Sequence, residues 1–101
     1  MQNESGKIEG DLRVTGPFTL NGMVTGSITV ATGGTLHLHG MCCGTLFVES
    51  GGIAFVHGTV VQDIRNQGTV EVRGMVNGSV FSKGAHFQQV PSAVIHGAIE
   101  T

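Results

Sequence analysis

Residues 12–27 read LRVTGPFTLNGMVTGS, and residues 64–79 repeat the same unit as IRNQGTVEVRGMVNGS. Seven of the sixteen aligned positions are identical, and they include the frame GMVxGS. Two copies that are two residues longer lie between them, ITVATGGTLHLHGMCCGT at 28–45 and LFVESGGIAFVHGTVVQD at 46–63, and a looser copy spans 80–98. Residues 5–11 match only the end of a unit, and residues 99–101 match only its beginning. The chain is therefore built from repeats, and the repeat determines the fold.

The pattern within each unit predicts three short strands. Apolar residues stand two apart in the first strand, as in Leu12 and Val14, and this period of two is typical of a strand with one buried face. A second strand repeats the pattern after a bend that contains glycine, and a third strand buries one central residue. The residues predicted to face inward are Leu12, Val14, Ile28, Val30, Leu46, Val48, Ile64, Asn66, Val80 and Ser82 in the first strands, Phe18, Leu20, Leu36, Leu38, Ala54, Val56, Val70 and Val72 in the second, and Ile8, Val24, Cys42, Val60, Val76 and Ile95 in the third.

These strands predict an all-β fold, a single-stranded parallel β-helix (solenoid) of about five turns, each with 16–19 residues and three short strands. One turn cannot bury its own apolar face, whereas stacked turns bury it and close the backbone hydrogen bonds between them. A left-handed helix of the hexapeptide type needs an aliphatic residue every six positions, but counting from Ile28 reaches Gly34 and Gly40. We therefore expect a right-handed helix that forms one domain over residues 8–101, preceded by a short polar segment at residues 1–7.

The composition argues against several classes of function. Among 101 residues only 12% are charged and the net charge is −2, so the sequence has no basic stripe for nucleic acid. No apolar run is long enough to span a bilayer and no basic-then-apolar leader opens the chain, so we expect a cytoplasmic protein without a membrane anchor. The sequence has no Ser/His/Asp grouping and no phosphate-binding glycine loop, and tight turns leave no pocket, so we expect neither an enzyme nor a cofactor.

The units TLHLHGMCCGT at 35–45 and TVEVRGMVNGS at 69–79 resemble the repeats of the bactofilins, a bacterial family of small polymer-forming cytoskeletal proteins. The resemblance covers about residues 8–99, and it concerns a repeat of the fold rather than a functional signature. It implies a right-handed β-helix whose turns stack end to end between molecules and form filaments without nucleotide. Bactofilins typically have disordered tails and sometimes an apolar N-terminal anchor, whereas this sequence opens with the short polar MQNESGK.

Residues between the buried ones are predicted to point outward, and stacking of the turns places them in columns. Phe47, Phe55 and Phe81 are large and apolar at such positions. They are either aromatic rungs covered by neighbouring side chains or an association surface, because exposed apolar area on a small protein usually has a partner. For the methionines we favour a gap-filling structural role. The predicted columns are Arg13, Thr29, Phe47, Arg65 and Phe81 on the first face, Thr19, His37, Phe55 and Glu71 beside Asn21, His39, His57 and Arg73 on the second, and Met23, Met41, Thr59 and Met75 beside Thr25, Cys43, Val61 and Asn77 on the third.

Three histidines form the one candidate metal site. His37 and His39 lie two apart on one strand, and His57 is expected one turn away from His39, about 5 Å distant. Three imidazoles so placed could hold zinc with an open position. No Asp or Glu is placed to orient the rings, so we favour an exposed polar face and predict no metal. Cys42 takes the place of core valines, whereas Cys43 is expected to point outward as a free thiol.

Two classes of function follow. The first is a non-enzymatic structural protein, a β-helical module that self-associates through its turn ends into a scaffold or filament. The alternative is a rigid β-helical binding protein that occludes a specific protein partner, such as an immunity protein that neutralises a bacterial toxin. A trimeric metalloenzyme with its site at the histidines is a third, less favoured reading. We predict no catalytic residue, and the candidate interface residues are Phe47, Phe55, Phe81, His37, His39, His57 and Ile99.

Overall fold

A computed structural model describes residues 2–4, 6–82, 86–89 and 93–100, and these residues form short strands and no helix. The part of the chain that the structure describes therefore contains no helix that could cross a membrane. In chain order the strands are β1 (Gln2–Glu4), β2 (Lys7–Ile8), β3 (Leu12–Val14), β4 (Pro17–Leu20), β5 (Met23–Val24), β6 (Ile28–Val30), β7 (Thr35–Leu38), β8 (Met41–Cys42), β9 (Leu46–Val48), β10 (Ile53–Val56), β11 (Thr59–Val60), β12 (Ile64–Asn66), β13 (Thr69–Val72), β14 (Met75–Val76), β15 (Val80–Phe81), β16 (His86–Gln89), β17 (Val94–Ile95) and β18 (Ile99–Glu100).

The strands form three parallel sheets, and each turn of the chain contributes one strand to each sheet. The first sheet has the order β3-β6-β9-β12-β15-β18, the second β1-β4-β7-β10-β13-β16, and the third β2-β5-β8-β11-β14-β17. The register joins equivalent positions of successive turns, as in the pairs Ile28 with Leu46 and Leu46 with Ile64. The predicted parallel β-solenoid with three strands per turn is therefore confirmed.

The solenoid has about four turns, slightly fewer than the five predicted from the repeats. The four units between residues 12 and 79 are described without a gap. The looser unit at 80–98 is described only in part, because residues 83–85 and 90–92 lie outside the described residues. The flanking strands β1, β2 and β18 belong to partial turns, which correspond to the incomplete units at the two ends of the sequence.

One apolar core runs along the solenoid axis, and it consists of the residues predicted from the period of two. Two polar residues, Asn66 and Ser82, occupy core positions of the first sheet and are also buried. The Asn66 side-chain amide donates to Ser82 Oγ at 2.9 Å, and its oxygen accepts a hydrogen bond from the Gly68 N–H at 2.8 Å. These bonds offset the cost of burying an amide. The buried apolar residues of the four turns at 12–79 are Val14, Leu20, Val24, Ile28, Val30, Ala31, Leu36, Leu38, Cys42, Leu46, Val48, Ala54, Val56, Val60, Ile64, Val70, Val72 and Val76.

The corner between the second and third strand of a turn requires glycine. Gly58 stacks on Gly40 of the preceding turn, and the Thr59 N–H donates to the Gly40 carbonyl at 3.0 Å. A Cβ atom at Gly58 would lie 2.8 Å from the His39 carbonyl oxygen and closer still to that of Gly40. Only a residue without a Cβ allows two backbones to approach so closely. This contact explains why glycine stands at this corner in the four units between residues 12 and 79, as Gly22, Gly40, Gly58 and Gly74.

Two segments extend the sheets beyond the strands that the repeat alignment predicted. Gln2–Glu4, within the predicted short polar segment at residues 1–7, pairs with residues 18–20 of β4 in the second sheet. His86–Gln89 pairs in register with Thr69–Val72 and so continues the same sheet at the other end. The longer, polar stretch AHFQQVP at 85–91, with a proline that cannot donate to a strand ladder, predicts a C-terminal cap or an outward bulge, and of it Ala85, Val90 and Pro91 lie outside the described residues.

Candidate functional site

The outward columns predicted from the repeats are present on all three sheets. On the first sheet the register pairs Thr29 with Phe47, Phe47 with Arg65, and Arg65 with Phe81. Phe47 is 38% exposed, whereas Phe81 is half-buried. Phe81 is therefore an aromatic rung covered by its neighbours, whereas Phe47 is exposed, as an association surface requires.

An open groove of about 650 Å³ follows this column on the first sheet. Its wall includes Thr29, Phe47, Glu49, Arg65, Gln67 and Phe81. The Arg65 guanidinium carbon lies 5.0 Å from the centroid of the Phe81 ring, which is the geometry of a cation–π contact. The expectation that the turns leave no pocket does not hold for this face. Sequence analysis places Arg65 in the column but does not single it out, because its position between two aromatic residues is visible only once the turns are stacked.

The described wall of the groove has two charged side chains, Glu49 and Arg65, and only Glu49 is in an ion pair. Glu49 pairs with Arg13 at 3.5 Å, so the acidic group of the wall already has a cation. Elsewhere Lys7 pairs with Glu9 and Arg73 with Glu71. Arg65 therefore differs from the other basic side chains in the described part of the chain, because its contact is an aromatic ring and not a carboxylate.

Four stacked rings, which we call the ring ladder, lie at the second sheet: His37 on β7, Phe55 on β10, and His39 and His57. His39 and His57 directly follow the ends of these two strands, so His39 is not on the strand of His37 as predicted. The centroids of His37 and Phe55 are 4.9 Å apart with the ring planes inclined by 14°. The rings of His39 and His57 are 4.7 Å apart and inclined by 4°, and the diagonal from His37 to His57 is 6.5 Å. Stacking at the strand spacing holds the four rings in one rigid surface, with His39 and His57 exposed and the other two half-buried.

The electrostatics of the ring ladder disfavour protonation of its central histidine. Partial burial lowers the pKa of His57 below its ordinary value, and the positive charges of His39, Arg73 and His37 lower it further, against a smaller opposing effect of Glu71. Among the described residues no group of three or more His, Cys, Asp or Glu side chains is placed to hold a metal ion.

The third sheet presents the methionines and both cysteines. Met41 and Met75 are each 38% exposed, and Met23 is half-buried in the same column. Cys42 is fully buried, as predicted, and burial raises the pKa of its thiol to about 11. Cys43 is half-buried and, like Cys42, has a free thiol. The methionines are thus more exposed than a purely gap-filling role requires.

The two ends of the solenoid expose part of the core. Several apolar residues at the two ends pack on the core but are only partly buried. They are Ile8, Leu12 and Phe18 near the N-terminal end and Phe87 and Ile95 near the C-terminal end. Ile99, the predicted end residue, is 43% exposed on β18. Core residues of the turns between these ends are completely or almost completely buried. Apolar exposure of core positions is therefore concentrated at the ends.

The chain has no match among protein-family models, curated proteins or solved structures. Its function is therefore inferred from the fold and from the four surfaces described above: the groove, the ring ladder, the methionine column and the solenoid ends.

Proposed function

We propose that this protein is a structural module that self-associates end to end into a scaffold or filament. The observation that carries the proposal is the partial exposure of core residues at both ends, by Ile8 and Leu12 at the N-terminal end and by Ile95 and Ile99 at the C-terminal end. Burial of this apolar surface against a second copy stabilises the assembly by about 25 cal/mol per Å².

The strand order makes the two ends complementary. β1, β2 and β3 are the last strands of the three sheets at one end, and β16, β17 and β18 are the last strands at the other. When copies stack head to tail, β18 of one copy lies beside β3 of the next, and the other two sheets continue in the same way. A strand edge is a template for further pairing, and a head-to-tail contact that does not close into a ring produces a filament.

This assembly is the behaviour that the resemblance to bactofilins implies, and the proposed role needs no catalytic residue, cofactor or nucleotide. The proposed location is the cytoplasm. The proposed winding is right-handed, because parallel strands of one sheet are connected in that hand in nearly all proteins and because the hexapeptide pattern of left-handed helices fails at Gly34 and Gly40.

Light scattering coupled to size-exclusion chromatography over a protein concentration series, with negative-stain microscopy of the same fractions, tests the proposal. We expect the mass to rise with concentration and rods to appear. Ile99→Lys places a charge in the end contact and is expected to abolish the increase. Met75→Lys is the matched control, because Met75 is also exposed but lies on the side of an inner turn. A sharp monomer at every concentration would refute the proposal.

A second candidate function is supported by the ring ladder. Its rings are already ordered by stacking, so little side-chain entropy is lost when a protein partner covers them. Under this alternative the protein is a rigid platform that occludes a partner, as an immunity protein occludes a toxin. The two candidates use different residues: Ile99→Lys disrupts self-association and spares partner binding, whereas Phe55→Ser does the reverse.

A further inference from the structure

The groove on the first sheet combines an aromatic surface with one uncompensated positive charge. Phe47, Arg65 and Phe81 are adjacent in one column, because β9, β12 and β15 pair in register. At about 650 Å³ the groove is within the range of about 300–1,000 Å³ that is usual for small-molecule sites. It lies on inner turns and therefore involves neither end of the solenoid.

The charge of Arg65 is held in place, and among the side chains that the structure describes no carboxylate pairs with it. Its guanidinium lies over the Phe81 ring at 5.0 Å, and this contact restricts the side chain without supplying a negative charge. The carboxylate in the described groove wall, Glu49, pairs with Arg13 at 3.5 Å instead. A planar guanidinium in this state is suited to the two oxygens of a carboxylate.

The aromatic part of the site is Phe47. The ring is 38% exposed, and among the described residues it stacks on no aromatic or cationic side chain. It stands one strand away from Arg65, about 4.8 Å in the direction of the solenoid axis. A ligand whose carboxylate reaches Arg65 can therefore place a ring against Phe47.

The remaining wall supplies hydrogen-bonding groups rather than charge. Gln67 is exposed and Thr29 is half-buried, and both line the groove. Asn66 also borders it, but its amide is bonded to Ser82 and Gly68 inside the core. Selectivity for an anion is thus determined by Arg65, and selectivity for an aromatic group by Phe47.

From this arrangement we infer that the groove is a binding site for a small aromatic carboxylate, with the carboxylate on Arg65 and the aromatic ring against Phe47. The free acid is favoured over a protein segment because the groove has the volume of a single small ligand and one uncompensated cation. This site is independent of end-to-end assembly and does not rest on it.

Titration of biphenyl carboxylate into the protein, followed by amide chemical shifts in two-dimensional NMR, tests the inference. Shifts are expected to cluster at β6, β9, β12 and β15. Biphenyl methanol retains the rings without the charge and acetate retains the charge without the rings, so each is expected to bind at least about tenfold more weakly. Binding of biphenyl methanol as tight as that of the acid would overturn the inference.

Two variants assign the interaction to residues. Arg65→Met is expected to weaken binding of biphenyl carboxylate about tenfold or more, and Phe47→Leu about fivefold. Arg73→Met is the control, because Arg73 lies on the second sheet and pairs with Glu71. Both tested side chains are on the surface, and circular dichroism verifies the fold. Unchanged affinity in Arg65→Met, or binding only of a peptide that ends in phenylalanine and not of the free acid, would overturn the inference.

Discussion

His39 and His57 stack face to face across adjacent turns, with ring centroids 4.7 Å apart and ring planes inclined by only 4°. The contact is favourable while both imidazoles are neutral. A proton on His57 places a positive charge against the His39 ring and beside Arg73, which is unfavourable. The ring ladder therefore makes the stability of the solenoid depend on pH.

We predict that the free energy of unfolding decreases as the pH falls below about 6.5 because of His57. The pKa of His57 is lowered in the folded chain below its unfolded value of about 6.5. The unfolded state therefore binds more protons in this range, and the stabilisation is complete above the unfolded pKa and is lost as pH falls below it. Urea midpoints at several pH values measure the effect.

The variant His57→Gln is expected to flatten this pH dependence, and His96→Gln is the control because His96 lies outside the ring ladder. Equal slopes for the wild type and His57→Gln would contradict the assignment.

Replacement of Gly58 by alanine is predicted to destabilise the fold by about 3 kcal/mol, because the new methyl group would overlap the carbonyl oxygens of His39 and Gly40. Gly16→Ala is the matched control, since a Cβ there has no atom within 4 Å and its φ angle is not positive. Thermal and urea unfolding of both variants compare the two corners. Similar stabilities of the two variants would show that the stacked corner can relax.

Substitutions of Asn66 and Ser82, which share a buried hydrogen bond, are predicted to have coupled effects on stability. Asn66→Val removes the donor to Ser82 Oγ and the acceptor of the Gly68 N–H, and it is expected to cost about 2 kcal/mol. Adding Ser82→Val removes the hydroxyl left without its partner and extends the valine column of Val14, Val30 and Val48, so the double variant is expected to regain part of that loss. A double-mutant cycle measures the coupling, and simple additivity would contradict it.

End-to-end assembly predicts complementation between two blocked variants. Ile8→Lys leaves the C-terminal end intact and Ile99→Lys leaves the N-terminal end intact, so each alone is expected to remain monomeric. An equimolar mixture is expected to form a heterodimer and no longer species, which light scattering detects. A symmetric contact between like ends predicts instead that each variant still forms a homodimer.

The adjacent cysteines are predicted to differ sharply in reactivity. At about pH 8 a thiol reagent is expected to label Cys43 alone, because Cys42 is fully buried and its pKa is raised to about 11. Mass spectrometry of the labelled chain counts the modified thiols, and unfolding in urea is expected to release the second one. Rapid labelling of both thiols in the folded protein would contradict the prediction.

The sequence by itself determined the class of fold, the core residues and the outward columns. Leu12 and Ile28 are equivalent in the repeat, and they are neighbours in the first sheet. In a solenoid the nearest neighbour in space is the same position of the next unit, so an alignment of the repeats is already a map of contacts. Candidate site residues such as Phe47 and His57 were predicted to face outward for the same reason, and they do.

Only the tertiary structure showed which contacts the side chains of those columns make with one another. Side-chain torsion angles, which a repeat pattern does not specify, determine the contacts within each column. Examples are the contact of Arg65 with Phe81, the ion pair of Glu49 with Arg13, and the stacking of the histidine rings. The strand Gln2–Glu4 was not predicted because its residues match no unit and pair through the backbone. The repeat determines which strands pair. Which charged or aromatic neighbour a side chain contacts is determined only when the turns are packed together, because several neighbours are within reach.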